Sequence, residues 1–179
     1  MKTNSIKTAV FFTFIFSLLF SLRPSAAFSQ NSPADAPTLK GKNVVVVFGG
    51  WQGHQPTESA ALMVPKLKAE GANVKVFESL ETYTDEQIMA EADLIIQMWT
   101  MGEITNPQFK GLEKAIMNGT GFAGWHGGMG DAFRDNLKYQ LMVGGQFVSH
   151  PGGKIDHEIN IIDQDDPITR GISDFELKK

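Results

Sequence analysis

The chain has 179 residues, of which 42% are hydrophobic, contains no cysteine, and carries a formal net charge of −4. This length and composition are ordinary for one globular domain, and the absence of cysteine excludes disulfides, thiol catalysis and a lipidated cysteine anchor. Because no basic stripe offsets the acidic balance, we expect the protein to bind neither nucleic acid nor an anionic membrane.

The N-terminus has the layout of a secretory signal. Lys2 and Lys7 precede an apolar run over residues 9–22, and small residues follow it up to Ala27. The run is shorter than the ~20 residues of a bilayer-spanning helix. We therefore predict a signal peptide over 1–27 and a periplasmic or secreted protein, with an uncleaved anchor as the alternative. Cleavage leaves 13 basic against 20 acidic residues, a formal charge of −7, and no membrane attachment.

A flexible leader is predicted over residues 28–42, which contain proline, serine and glycine without apolar periodicity. From Asn43 onward, short apolar runs alternate with helical patterns. The predicted strands are 44–48, 74–77, 93–99 and one beginning at Gly121; the predicted helices are 56–70 with a kink or break near Pro65, 85–92, 105–118 and 131–142. This alternation predicts right-handed βαβ units and a doubly wound, mostly parallel, flavodoxin-like α/β sheet with helices on both faces.

The pattern changes after Gly144. Residues 146–150 are predicted to form a short strand, and residues 154–162 alternate as a second strand with His157 on an isoleucine-rich face. We interpret His157 as a satisfied core or edge histidine. At most one helical turn is expected over residues 168–172.

The strand from Gly121 ends in a glycine-rich turn, which we call the elbow (residues 121–130). A sharp strand-to-helix turn needs small residues and presents one side chain at the carboxyl edge of the sheet, beside backbone N–H groups. In this chain that side chain is His126. The following Asp131 is predicted to be the N-cap of the next helix.

Topology predicts a binding rim, because the carboxyl ends of the first, third and fourth strands of such a sheet lie side by side. The residues delivered there are Trp51, His54, Trp99, Glu103, Trp125 and His126, with His150 at the end of the next segment. His54, His126 and His150 are the catalytic candidates. Their alternatives are an elbow-capping role for His126 and plain solvent exposure for the other two.

Ligand-binding candidates surround these histidines. Trp51 and Trp99 could stack on a sugar, since an aromatic face suits the C–H side of a pyranose, whereas Trp125 is expected in the core. Arg134, in the first turn after the elbow, is a candidate for a ligand oxygen or a solvated surface residue. Three imidazoles on adjacent strand ends would also match a zinc site with an open position, although no His-x-His or His-Glu-x-x-His spacing is present. Zinc therefore stays possible and no cofactor is certain.

Four segments together resemble the ThuA-like (trehalose utilisation) family, whose fold is related to that of class I glutamine amidotransferases. They are FGGWQGH (48–54), GWHGG (124–128), GGQFVSHP (144–151) and DPITRGI (166–172). The amidotransferase elbow carries a nucleophilic cysteine where this chain has His126, so glutamine hydrolysis is excluded. The family continues past the position of Lys179, and we expect the domain over 43–179 to be truncated relative to it.

The resemblance implies carbohydrate catabolism, with a glycoside or a 3-keto disaccharide as the ligand. A neutral His126 or His54 would then take the proton next to the ketone, and the Gly127 and Gly128 N–H groups would stabilise the enolate. Two alternatives remain open: a non-catalytic sugar-binding module, and a zinc-dependent hydrolase that uses the same histidines.

Overall fold

The computed structural model describes residues 38–150 and 152–179. The predicted signal peptide and residues 28–37 of the leader lie outside these ranges. Residues 38–42, the last of the predicted leader, contact the domain: the Gly41 N–H donates to the Gly71 carbonyl at 2.8 Å, and Lys42 pairs with Asp93 at 2.9 Å. Within the described ranges, no helix has the length and apolarity that a membrane span requires.

A four-stranded parallel sheet forms the centre of the domain. Its strands are β1 (Asn43–Gly50), β2 (Asn73–Phe77), β3 (Leu94–Thr100) and β4 (Gly121–Ala123), in the spatial order β2-β1-β3-β4. The four valines 44–47 of β1 are buried, as expected for a central strand covered on both faces. Full burial of each valine side chain contributes roughly 1.5–3 kcal/mol. The predicted α/β fold class is confirmed.

Helices cover both faces of the sheet. Val44 and Val46 pack in a cluster with residues of α1 (Pro56–Ala69). Val45 and Val47 pack on the opposite face with residues of α2 (Glu86–Glu91), α3 (Asn106–Met117) and α4 (Leu137–Val143). Because a helix returns the chain to the amino end of each next parallel strand, the carboxyl ends of β1, β3 and β4 lie at one edge, which is open to side chains from the loops.

Local signals set the helix ends. Thr105 caps α3 in a capping box with Gln108, and Asp85 accepts the Ile88 N–H at the start of α2. The helix α1 continues through Pro65, so the break considered near that residue does not occur.

The helix predicted over 131–142 is wrong in its first half. After β4 the chain forms a turn and a 3₁₀ segment (Met129–Asp131), and α4 begins only at Leu137, where Asn136 accepts the Tyr139 N–H at 3.0 Å. Asp131 is therefore not the N-cap of α4. Its backbone is occupied by the 3₁₀ turn and by the Met101 N–H, which donates to the Asp131 carbonyl at 2.8 Å.

The strand predicted over 146–150 is also wrong, because these residues have no strand partner. The Gln146 side chain donates to the Arg134 carbonyl at 3.0 Å and ties this segment to the region after the elbow. The alternating stretch 154–162 yields only β5 (His157–Ile159), which pairs antiparallel with β6 (Phe175–Leu177), a strand that the sequence did not predict. His157 is exposed, and its Nδ1 bonds with the Ile155 carbonyl.

Candidate functional site

The site lies at the carboxyl edge of the parallel sheet. After β1 the chain makes a 3₁₀ turn (Gln52–His54), and the Trp51 N–H donates to the Thr100 carbonyl at the end of β3, at 3.1 Å. After β4 the elbow turns at residues 126–128. These two connections bring His54 and His126 to the same part of the rim.

Three imidazole rings converge there. The ring centroid of His126 lies 5.4 Å from that of His54 and 5.4 Å from that of His150. Phe147 packs against His126 at 4.4 Å and against His150 at 4.7 Å. The three histidines that the sequence singled out thus form one group, which we call the histidine cluster.

A buried threonine fixes the orientation and tautomer of His54. Thr100 is fully buried, and its hydroxyl donates to the Gly127 carbonyl while lying 3.2 Å from Nδ1 of His54. A hydroxyl has one proton to donate. Since that proton goes to Gly127, the shared bond with His54 requires Nδ1–H as the donor. Nε2 of His54 is therefore the nitrogen that carries a lone pair.

The same surroundings keep His54 neutral. Burial lowers its pKa from the ordinary histidine value, and the charges of His126, His150 and Arg134 lower the pKa further, against an opposing effect of Asp131. At neutral pH the ring is therefore a base or a ligand rather than a cation.

Asp131 adds a carboxylate to this group. Its side chain is only 1% exposed, and its Oδ1 accepts a charged hydrogen bond from Nε of Arg134 at 2.6 Å. Oδ2 is buried and has no hydrogen-bond partner among the described residues. One carboxylate oxygen of Asp131 and one ring nitrogen each of His54 and His126 lie within 4.8 Å of one another, so these three residues could hold a metal ion.

Comparisons with known proteins identify the family. The family model for ThuA, trehalose utilisation, matches residues 43–179. The chain belongs to the ThuA family. A crystal structure of a protein described as ThuA-like, from Bacteroides uniformis, superimposes with a TM-score of 0.64 at 18% identity, covering 83% of this chain and 62% of that one. At this identity the likeness concerns the fold alone, and the chain spans less than two thirds of that protein's length. No curated protein matches the sequence.

Membership of the ThuA family confirms the sequence resemblance. It does not assign roles to single residues of this ThuA chain.

Glycine is required at one position of the elbow. Gly127 has a left-handed backbone (φ 77°), and a Cβ there would lie 3.0 Å from the His54 ring. The Gly128 N–H donates to the Trp125 carbonyl at 3.1 Å. That donor is already engaged within the turn, and the role of the Gly127 and Gly128 N–H groups toward an enolate stays a prediction.

Two of the three tryptophans are exposed at the site, and they are not the two that the sequence predicted as sugar platforms. Trp51 is 51% exposed, and its ring meets His54 edge-on at 4.8 Å. Trp125 is 40% exposed, so its predicted place in the core is wrong: β4 pairs over only three residues and ends before it. Trp99 instead packs against the core cluster on the face of α2 to α4, and its buried Nε1 has no partner among the described residues.

Two further candidates lie at different distances from the cluster. Arg134 pairs with Asp131, and its guanidinium carbon lies 5.4 Å above the ring centre of Phe147, so it borders the cluster. Glu103 is exposed and lines a separate cavity of about 460 Å³ together with Phe133, and no histidine lines that cavity. None of the ring contacts of the histidine cluster involves Glu103.

Backbone strain is concentrated beside the site. Three non-glycine residues in the described ranges have a positive φ: Gln55 (51°), Met101 (56°) and Phe133 (49°). They follow His54, Thr100 and Asp131 closely in the chain. A non-glycine residue in this conformation costs of order 1 kcal/mol or more, and persists only where surrounding contacts hold it.

Sequence reasoning missed Thr100 and Asp131. The signal for Thr100 was available, since a polar residue at the carboxyl end of a buried strand faces the rim of such a sheet. Asp131 was recognised but was assigned to helix capping, because the following residues continue an apolar pattern of helical spacing.

Proposed function

We propose that this ThuA chain binds a small carbohydrate at the histidine cluster and moves a proton on it with an imidazole. The observation that carries the proposal is the convergence of His54, His126 and His150 from three separate segments of the chain. Histidine is the side chain whose ordinary pKa suits proton transfer near neutral pH. The lowered pKa of His54, caused mainly by burial, makes a neutral imidazole available there.

Two exposed indole rings favour a sugar as the ligand. Trp51 lies edge-on beside His54, and Trp125 adjoins His126 in the chain. An exposed aromatic face can cover the C–H side of a pyranose and leave its hydroxyl groups to polar partners. The family description, trehalose utilisation, agrees with a disaccharide.

The chemistry proposed is enolisation of a 3-keto glycoside. A ketone acidifies the neighbouring C–H; the proton passes to an imidazole nitrogen, and the electron pair of that bond moves toward the carbonyl oxygen. A positioned general base contributes about 10²–10⁴-fold to such a step. The Gly128 N–H is engaged with Trp125, so of the two predicted donors the Gly127 N–H is the better placed to receive the developing negative charge, and a cation would add to it.

Isotope exchange tests this step without requiring any bond cleavage. The purified protein is incubated with a 3-keto disaccharide in D₂O, and loss of the signal of the proton next to the ketone is followed by NMR. We expect His54→Ala to lower the exchange rate by about 10²–10⁴-fold. His157→Ala is the matched control, because His157 is exposed and its Nδ1 bonds only with the Ile155 carbonyl.

A different result would change the proposed function. Exchange at the uncatalysed rate, together with calorimetric binding of the sugar, would reduce the function to non-catalytic recognition. Equal exchange by wild type and His54→Ala would remove His54 from the chemistry and contradict the assigned role of its neutral imidazole.

We also propose that the protein is exported. The support is the layout of residues 1–27, with two lysines, a short apolar run and a small-residue stretch. Mass spectrometry of the protein expressed with its full N-terminus in a bacterium tests this proposal. An intact Met1 in the cell-associated protein would contradict cleavage after Ala27.

A further inference from the structure

We propose that His54, His126 and Asp131 bind one divalent transition-metal ion, of which Zn²⁺ is the representative. The inference deepens the proposed function, because it supplies a partner for the charge of the enolate. One ligand atom from each residue lies within 4.8 Å of the other two. Zinc binds imidazole nitrogen and carboxylate oxygen at about 2.0–2.2 Å, which places ligand atoms ~3.3 Å apart, so the three side chains would draw closer when the ion binds.

The buried carboxylate oxygen of Asp131 is the strongest sign of a cation. A buried ionised group is stable only when its oxygens are paired. Arg134 satisfies Oδ1 at 2.6 Å, but Oδ2 has no partner among the described residues and belongs to a side chain that is 1% exposed. A metal ion at Oδ2 would satisfy the second oxygen of the same carboxylate.

His54 is already arranged as a metal ligand. Histidines that bind metals usually donate their other ring N–H to a fixed acceptor, which sets the tautomer and the orientation of the ring. The Thr100 hydroxyl is that acceptor for Nδ1, because its own proton goes to the Gly127 carbonyl. Nε2 of His54 is therefore unprotonated and available.

The donor set selects the kind of ion. Two imidazoles and one carboxylate suit Zn²⁺, Fe²⁺, Co²⁺ or Ni²⁺, whereas Mg²⁺ and Ca²⁺ prefer oxygen ligands alone. Three protein ligands leave a coordination position open, as catalytic zinc sites require. A carbonyl oxygen of the sugar would occupy it. With His54 bound to the metal, the proton would pass instead to His150, whose ring lies 5.4 Å from that of His126, and His54→Ala would slow the exchange through loss of the metal.

Calorimetry with the metal alone tests the inference. The full chain is stripped with a chelator and titrated with ZnCl₂, with MgCl₂ as the reference ion. We expect one Zn²⁺ per chain and no comparable Mg²⁺ binding. Asp131→Asn should weaken Zn²⁺ binding by about 100-fold or more, and Thr100→Val, which removes the partner of His54 together with the donor to the Gly127 carbonyl, by about 10–100-fold.

Two further variants separate a loss of the metal site from a loss of folding. His54→Gln changes a partly exposed residue and should lose Zn²⁺ affinity while keeping the circular dichroism spectrum of the wild type. His157→Gln removes a histidine that is outside the cluster and should bind Zn²⁺ like the wild type. The absence of stoichiometric Zn²⁺ binding, or unchanged affinity in both Asp131→Asn and His54→Gln, would overturn the inference and leave Asp131 as the ion-pair partner of Arg134.

The metal site and the proposed function fail separately. Isotope exchange by the metal-free protein, undiminished after stripping, would overturn the role of the metal as partner of the enolate and retain the carbohydrate chemistry. Stoichiometric Zn²⁺ binding that depends on Asp131, without exchange of any 3-keto sugar, would support the metal site and contradict the proposed reaction.

Discussion

Replacement of Thr100 by valine isolates one buried hydroxyl at the site. The change keeps the shape of a fully buried side chain and removes its two hydrogen bonds, one to the Gly127 carbonyl and one with Nδ1 of His54. Valine for threonine is not a neutral exchange in a core, because the hydroxyl is lost. The buried Gly127 carbonyl is then left without its donor.

The loss of unfolding free energy in Thr100→Val depends on whether each former partner of the hydroxyl can bind water instead. Gly127 is buried, so its unpaired carbonyl costs about 1–3 kcal/mol of unfolding free energy. His54 is only partly buried, and its Nδ1–H can turn toward solvent, so this second loss adds little. We therefore expect Thr100→Val to lower the unfolding free energy by about 1–3 kcal/mol.

Urea unfolding of the chelator-treated protein measures this change. The slope with urea concentration should stay that of the wild type, since the surface exposed on unfolding is the same. Thr82→Val is the matched control: Thr82 is also buried, but its hydroxyl makes no hydrogen bond among the described residues, and we expect a change within about 0.5 kcal/mol. An equal loss in the two variants, or none in Thr100→Val, would refute the assigned hydrogen bonds.

Three other substitutions test packing and charge in the rest of the domain. Gly111→Ala should lower the midpoint of thermal unfolding, because a Cβ there overlaps the Tyr83 carbonyl and the overlap, about 1–3 kcal/mol, exceeds the usual gain of alanine in a helix. Tyr139→Phe removes a hydroxyl that links a buried glutamine to the elbow backbone, and urea unfolding should show a loss of about 1–3 kcal/mol. A backbone hydrogen bond from Asn43 and the Lys42 ammonium lower the pKa of Asp93, so this carboxylate contributes stability above its ordinary pKa of about 4 and loses it as pH falls through the lowered value. Asp93→Asn should flatten the pH dependence of stability in that acidic range.

Each of these predictions has a contrary result. Greater thermal stability of Gly111→Ala would mean that α3 and the Tyr83 backbone separate easily. A change below about 0.5 kcal/mol in Tyr139→Phe would show that the hydroxyl is replaced by water. An unchanged acid profile in Asp93→Asn would place the titrating group elsewhere.

The sheet and most helices were predictable because their signals are local. The four consecutive valines of β1 predict a strand that is buried on both faces. Thr105 predicts the start of α3, because it forms a capping box with Gln108. The rim followed from strand order, since parallel strands send their carboxyl ends to one edge.

The region after the elbow was not predictable because distant partners decide it. Met101 forms a β-bridge with Ala132, and its N–H donates to the Asp131 carbonyl. These contacts keep the backbone of residues 131 and 132 out of a helix, although the sequence pattern there is helical. Residues 146–150 have strand-like composition but find no neighbouring strand. Trp125 looks like a core residue by type, yet it follows a strand that pairs over only three positions.

The loops around the histidine cluster should be the part of the domain that unfolds first, because they contain the left-handed residues Gln55, Met101 and Phe133. Each stores conformational energy that the neighbouring packing must restrain, so loosening that packing allows the loops to relax before the sheet comes apart. Under mild denaturing conditions, ligand recognition should therefore disappear while the β-sheet signal is intact, and a bound ligand should restore the rigidity of these three loops together.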